Sequence, residues 1–272
     1  MIKDYRTAIV TGTSRGVGVY IAKALAKEGM NLVLAARTSS DLDNVAGELK
    51  ASGAQVVTVP IDITDFHALP NLVSIAKAKF GTIDVLVNNA AVDSPISFHK
   101  EQPEVIEQLI STNLTAPILL SRLVLPGMLE RRRGHIVNIA SLVAKIPFPY
   151  DVMYATSKAG LAHFTASLRA EYRGSGVSAS AILAGAFTDT GLSAQALKDT
   201  GVVKPNSVPT SPPESAGQAV IQAIQKDLAE IGIPAPAILF TRIPALGTQF
   251  VKGTGLIGMI KQIAEVRGQP KE

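Results

Sequence analysis

No cysteine occurs in the 272 residues. That excludes disulfides, thiolate nucleophiles and cysteine-ligated metals, and no metal site is expected. Charge is scarce as well: 18% of residues are Asp, Glu, Lys or Arg, against 47% hydrophobic. A chain of this length and composition can bury a substantial core. The formal net charge is only +4, too mild an excess to imply a nucleic-acid partner. The one tight basic run, Arg131-Arg132-Arg133, closes a helical pattern, where cations suit the helix dipole. Long apolar runs are missing too. The longest uncharged stretch, residues 174–188, falls short of the roughly 20 residues a membrane span needs and is rich in Gly and Ser. Met1 to Arg6 runs into an apolar strand without the pattern of a secretory leader. The expectation is a soluble, cytoplasmic protein. Neither an internal repeat nor a linker divides the chain, so one domain over residues 1–272 is expected.

What is present is a regular alternation. Thr7-Ala8-Ile9-Val10 reads as a buried strand. It leads into Thr11-Gly12-Thr13-Ser14-Arg15-Gly16-Val17-Gly18 and then a helix over residues 19–29. Strand, glycine-rich turn and helix together make a phosphate site: glycines let the backbone approach a pyrophosphate, and the helix offers free N–H groups. Further strands are expected over residues 31–36, 55–61, 84–87, 136–140 and 177–183. Helices are expected over residues 39–52, 66–80, 103–132, 152–173 and 214–227. The long helix 103–132 should bend near Pro117 and Pro126. Residues 185–213 read as an irregular loop, residues 237–240 as a last strand. Leu256, Met259, Ile260, Ile263 and Val266 mark an amphipathic C-terminal helix. Strands alternating with helices imply a parallel sheet covered on both faces, an α/β fold.

Chemistry concentrates at three places. The second strand ends in Ala36-Arg37. An NAD site carries an acid near this position for the ribose 2′-hydroxyl, whereas an arginine suits a 2′-phosphate. Arg37, with Arg15 in the glycine loop, therefore points to NADP(H) rather than NAD. The fourth strand ends in Asn88-Asn89, side chains suited to bonding backbone around a ligand crevice. Third, Tyr154 and Lys158 stand at i and i+4, one turn apart on one helix face. A nearby cation favours the phenolate and should lower the tyrosine pKa toward a useful general acid/base. Ser141 follows the strand 136–140, at the sheet end where open α/β folds bind ligands. Asn113 sits inside an apolar helix, where an asparagine needs a partner.

These residues, over roughly 7–190, resemble the short-chain dehydrogenase/reductase family. Thr11 to Gly18 looks like its Thr-Gly-x-x-x-Gly-x-Gly loop, with Gly12, Ser14, Arg15, Gly16, Val17 and Gly18 at the cofactor. Asp62 resembles the acid that contacts adenine, with Ile63 beside it. Asn88-Asn89-Ala90-Ala91 resembles Asn-Asn-Ala-Gly, with Ala91 in place of glycine. Asn113, Ser141, Tyr154 and Lys158 fall where the family's catalytic tetrad falls. After the sixth strand the family's Pro-Gly is replaced by Ala184-Gly185. Gly185, Phe187 and Thr188 then border the cofactor, and either Thr188 or Thr190 takes the role near its phosphates or carboxamide.

The resemblance implies a doubly wound Rossmann-type sheet with a C-terminal helical extension (about 236–272) and a substrate loop (about 186–213). It also implies an NADP(H)-dependent interconversion of a carbonyl and a secondary alcohol. Tyr154 would be the acid, Ser141 would polarise the carbonyl, and Lys158 would lower the tyrosine pKa and hold the nicotinamide ribose. Asn113 would order a relay water. The helices 103–132 and 152–173 would pair with their copies in a dimer or tetramer. Leu142, Val143, Ile146, Phe148, Phe187 and Leu192 make an apolar or acyl small-molecule substrate the expectation. A nucleotide-sensing protein without turnover is the alternative, against which the intact Ser141, Tyr154 and Lys158 argue. Membrane contact through the C-terminal helix is a third reading, not the favoured one.

Overall fold

A computed structural model describes residues 5–235, 249 and 253–269. Among these residues seven strands form one parallel sheet in the order β3-β2-β1-β4-β5-β6-β7. They are β1 (Thr7–Thr11), β2 (Asn31–Ala36), β3 (Val56–Pro60), β4 (Val85–Asn88), β5 (Gly134–Ser141), β6 (Val177–Ala184) and β7 (Glu230–Ile233). The helices are α1 (Val17–Lys27), α2 (Ser39–Ala51), α3 (Leu69–Phe80), α4 (Pro103–Ile110), α5 (Ala116–Glu130), α6 (Val152–Glu171), α7 (Gly191–Thr200), α8 (Glu214–Lys226) and α9 (Leu256–Arg267).

Successive strand side chains point to opposite faces, and the core divides accordingly. Ala8, Val10, Leu32 and Leu34 meet Ile21 and Leu25 of α1, Leu42 and Leu49 of α2 and Val220 of α8. Ile9, Val33 and Ala35 face the other way, onto Leu69 and Leu72 of α3 and Leu120, Val124 and Met128 of α5. Both faces are dry, as an all-parallel sheet requires. Fully burying one such Leu or Ile contributes about 1.5–3 kcal/mol. The sheet is the expected doubly wound one. Because β4 follows β1 on the side away from β2, the strand order reverses there and opens a crevice at the strands' C-terminal ends.

The expected helix 103–132 is not continuous. It is broken by one π turn, Ser111–Thr115, between α4 and α5. Pro117 has no N–H to give the carbonyl of Asn113 four residues before it, and a wider turn of this kind often marks a functional site. Residues 103–130 are long and apolar enough to cross a membrane, but α5 packs its buried residues into the core beneath the sheet. Residues 185–213 are not wholly irregular, since α7 lies within them. The last described strand is Glu230–Ile233, paired with β6; the strand expected at 237–240 lies outside the described residues. Arg131 and Arg133 do more than suit a helix dipole: they approach the fully buried Asp84 at 3.7 and 3.4 Å.

Candidate active site

A cavity of about 720 Å³ opens where the sheet order reverses, within the range of small-molecule sites. One wall is the glycine loop. Gly12 has φ +70, and a Cβ there would stand 2.7 Å from Ala90 Cα. A Cβ on Gly18 would stand 2.2 Å from the Gly12 oxygen and 2.6 Å from Asn89 Nδ2. Side chains are therefore excluded at both positions. Asn89 Nδ2 donates to the carbonyls of Thr11 and Gly12 at 2.9 and 3.0 Å, and the backbone N–H groups of Asn89 and Ala90 both donate to Thr11 Oγ1. The strand end of β4 thus clamps the loop.

Helix α1 begins with neither a side-chain cap nor an acid in its first turn. Its N-terminal N–H groups stay available to an anion. The start of α7 is likewise uncapped and without acid, and Gly191 approaches the Cβ position of Gly16 to 3.9 Å. Two helix N-termini therefore meet at one side of the cavity, a juxtaposition the sequence reading missed because it took residues 185–213 as loop.

Arg15 and Arg37 are both exposed and both line this end. Asp62 lies beside them, its Oδ1 accepting from Thr64 N–H at 2.9 Å and Thr64 Oγ at 2.7 Å. Partial burial raises its pKa, but the Thr64 hydrogen bonds and the Arg37 charge outweigh that and hold the carboxyl below its ordinary value. Ser14, Gly16, Val17, Ile63, Asn89, Ala90, Ala91, Gly185 and Phe187 also line the cavity. Gly18 does not, serving instead the contact of loop and helix. Thr188 faces elsewhere: its hydroxyl donates to Thr210 Oγ1 and its N–H to the Ser211 carbonyl, each at 3.0 Å. Thr190 takes the cavity position.

The other end gathers Ser141, Tyr154 and Lys158. Ser141 closes β5, and its hydroxyl donates to the Ala184 carbonyl at 3.1 Å. Tyr154 and Lys158 share one face of α6, with Nζ 5.7 Å from the ring centroid. Lys158 is 2% exposed and its ammonium donates to the Ile139 carbonyl at 2.8 Å. Burial lowers its pKa from 10.5 to about 8. The expected lowering of the tyrosine is not found. Burial pushes the phenol up, the Asp93 and Asp151 charges push it further, and a hydrogen bond with Ser141 only partly opposes them. Desolvation disfavours the phenolate more than the lysine can favour it.

Asn113 does not line the cavity. Its amide accepts from Val92 N–H at 2.9 Å and donates to the Val92 carbonyl at 2.8 Å and Ser157 Oγ at 3.1 Å. It ties the π turn to the chain after β4 and to α6, and so supports the wall on which Tyr154 stands. The six apolar residues expected at the substrate end all line the cavity. Helices α7 and α9 add Ala196, Leu256, Ile260 and Ile263, packed with Ile146, Phe148 and Val208. Asp93 and Asp151 also line it. The sequence reading passed over both, although Asp151 stands only three residues before Tyr154, at the start of its helix.

Comparisons with known proteins agree with this geometry. A family model described as short chain dehydrogenase matches residues 6–201. A ketoacyl reductase, HetN, of Nostoc sp. is 39% identical over 226 residues, covering 83% of this chain and 77% of its own. The dehydrogenase/reductase SDR family member 7B of Bos taurus is 30% identical over 238 residues, covering 84% and 73%. Among solved structures, a metagenomic short-chain oxidoreductase in complex with NADP superposes with a TM-score of 0.71 at 32% identity, covering 83% of this chain and 95% of that one. An actinorhodin polyketide ketoreductase variant with NADPH gives 0.75 at 26%, covering 85% and 96%.

Proposed function

Since this chain belongs to the short chain dehydrogenases, and is an oxidoreductase of that family, we propose that it uses NADP(H) to interconvert a carbonyl and a secondary alcohol on a largely apolar substrate. One observation carries the reading. One cavity joins a side-chain-free cradle with an open helix N-terminus and two arginines to a buried serine and lysine and a half-buried tyrosine.

The residues fit the cofactor. Gly12, Gly16 and the start of α1 suit the pyrophosphate. Arg15 and Arg37 suit a 2′-phosphate, which guanidinium groups bind in a bidentate, charge-assisted way. The neighbouring structures hold NADP or NADPH, which supports the same choice here. When bound, the nicotinamide supplies or takes up the hydride.

The protein supplies position and charge. With its pKa raised, Tyr154 waits at neutral pH as an uncharged phenol, the state that donates a proton to a carbonyl oxygen. The Ser141 hydroxyl turns from the Ala184 carbonyl to that oxygen and stabilises its developing charge. Lys158, still largely cationic at pH 7, offsets the negative charge left on the phenol oxygen. The apolar wall excludes water, so each of these interactions acts at low dielectric. Acid catalysis of this kind contributes about 10²–10⁴-fold.

The test is NADPH oxidation over a panel of ketones and aldehydes, with Tyr154→Phe beside the wild type. Turnover by the wild type, and a loss of at least about a hundredfold in the variant with NADPH affinity kept, is expected. Equal turnover by the two proteins would refute the role given to Tyr154.

A further inference from the structure

The mechanism leaves unused one buried carboxyl that lines the cavity. Asp151 occupies the residue before α6, where aspartate ordinarily caps a helix. Its side chain makes no cap here. It is 5% exposed, it lines the cavity, and its Oδ1 is buried without a hydrogen-bond partner among the described residues. Tyr150, immediately before it, is held at φ 64, a strained conformation for a non-glycine residue, and its carbonyl accepts from Ile96 N–H at 2.8 Å. The backbone is thus fixed while the carboxyl is left to the cavity. A buried unpaired polar atom is costly and calls for an explanation.

Resting on the oxidoreductase reading above, we propose that Asp151 is a substrate-recognition group that binds a protonated amine on the carbonyl substrate. Asp151 immediately precedes the helix that carries Tyr154, and both side chains line the same cavity. The amine would then sit a short chain away from the carbonyl carbon that Tyr154 and Ser141 address. The surrounding charges favour a cation over a neutral donor. Burial, then the Asp93 and Glu101 charges, raise the Asp151 pKa to about 8, against the opposing charge of Arg267 on α9. Asp93 is also raised, by burial. An ammonium relieves this mutual repulsion; a hydroxyl does not. A metal ion is the other natural occupant of clustered acids, but among the described residues no three His, Cys, Asp or Glu side chains form a group that could hold one.

The experiment compares two ketones of matched shape, 5-(dimethylamino)pentan-2-one and 6-methylheptan-2-one, by kcat/KM with NADPH. The tertiary amine is cationic at pH 7 and cannot condense with the ketone. Wild type should favour the amine by about tenfold or more, as a charge-assisted hydrogen bond allows. Asp151→Asn should bring that ratio near one, and Asp151→Glu should keep part of it. The wild-type ratio should also rise between pH 6 and 9, as the carboxyl ionises. Lys158 and Tyr154 act on both ketones alike and cancel in the ratio, while Asp93, Glu101 and Arg267 set where the rise falls. Turnover of the neutral ketone without preference for the amine overturns the proposal and leaves the oxidoreductase reading standing. So does a preference unchanged in Asp151→Asn. If that variant does not bind NADPH, and so has not folded, a ratio flat with pH in the wild type overturns it. Failure of the wild type to turn over either ketone with NADPH bound defeats both readings together.

Discussion

Replacing Lys158 with methionine should stabilise the ligand-free protein while removing its activity. The side chain is one of the largest fully buried ones, and among the described residues its ammonium has one hydrogen-bond acceptor, the Ile139 carbonyl. Its pKa falls from 10.5 to about 8 through burial, a shift of about 2.5 units, or about 3.4 kcal/mol at 1.36 per unit. That is the cost of keeping the charge in the fold at pH 7. Methionine has a similar length and no charge. Losing the Ile139 contact takes back about 1 kcal/mol, leaving a net gain of about 2. For a chain of this size the unfolding midpoint should rise by roughly 4–8 °C. The pH dependence carries its own sign. Because the folded pKa lies below the unfolded one, the unfolded chain binds more protons between about 8 and 10.5, so wild-type stability rises with pH across that window. The penalty is complete below about 8 and relieved above 10.5. The gap between variant and wild type should therefore be widest at pH 7 and shrink toward pH 10. Thermal unfolding of both ligand-free proteins across this range checks it. A variant less stable than wild type at pH 7, or a gap that does not shrink, would refute the argument that Lys158 is held against its own solvation.

Three further outcomes are expected. Arg37→Asp should remove an attraction worth about 1.5–3 kcal/mol and repel a 2′-phosphate, so that a preference for NADPH over NADH falls by ten- to a hundredfold or inverts; fluorescence titration with both cofactors reads this, and an unchanged preference excludes the arginine. Asn113→Ala deletes three hydrogen bonds and leaves the Val92 backbone unpaired, which should destabilise by about 2–4 kcal/mol and slow turnover by loosening the wall beneath Tyr154; denaturant unfolding with a midpoint unchanged from wild type would contradict this. Helices α5 and α6 keep half-buried apolar residues such as Leu119, Leu123, Ala159 and Phe164, so light scattering should find a dimer or tetramer at micromolar concentration, and a monomer there would remove the pairing of these helices.

The sequence alone determined whatever depends on neighbours a few residues apart. The glycine loop was legible because strand, turn and helix follow one another within 21 residues, from Thr7 to Lys27. Tyr154 and Lys158 were legible because i and i+4 share a helix face whatever lies around them. The α/β class followed from alternation alone, and the apolar character of the substrate end from Leu142 to Phe148 and Leu192. Tertiary structure decided what depends on groups distant in sequence. The break at Asn113 joins a missing proline N–H to Val92, 21 residues away. Strand β7 and helix α7 are too short and too mixed in pattern to announce themselves, and are held by the edge of β6 and by α9. Thr190 rather than Thr188 reaches the cavity because residues 210–211 claim the latter. The electrostatics of the site went the same way. Spacing placed a cation near a phenol, but solvation is set by everything packed around the pair. Burial outweighs the lysine, keeps Tyr154 a neutral phenol, and leaves Asp151 Oδ1 buried at the cavity with no hydrogen-bond partner among the described residues.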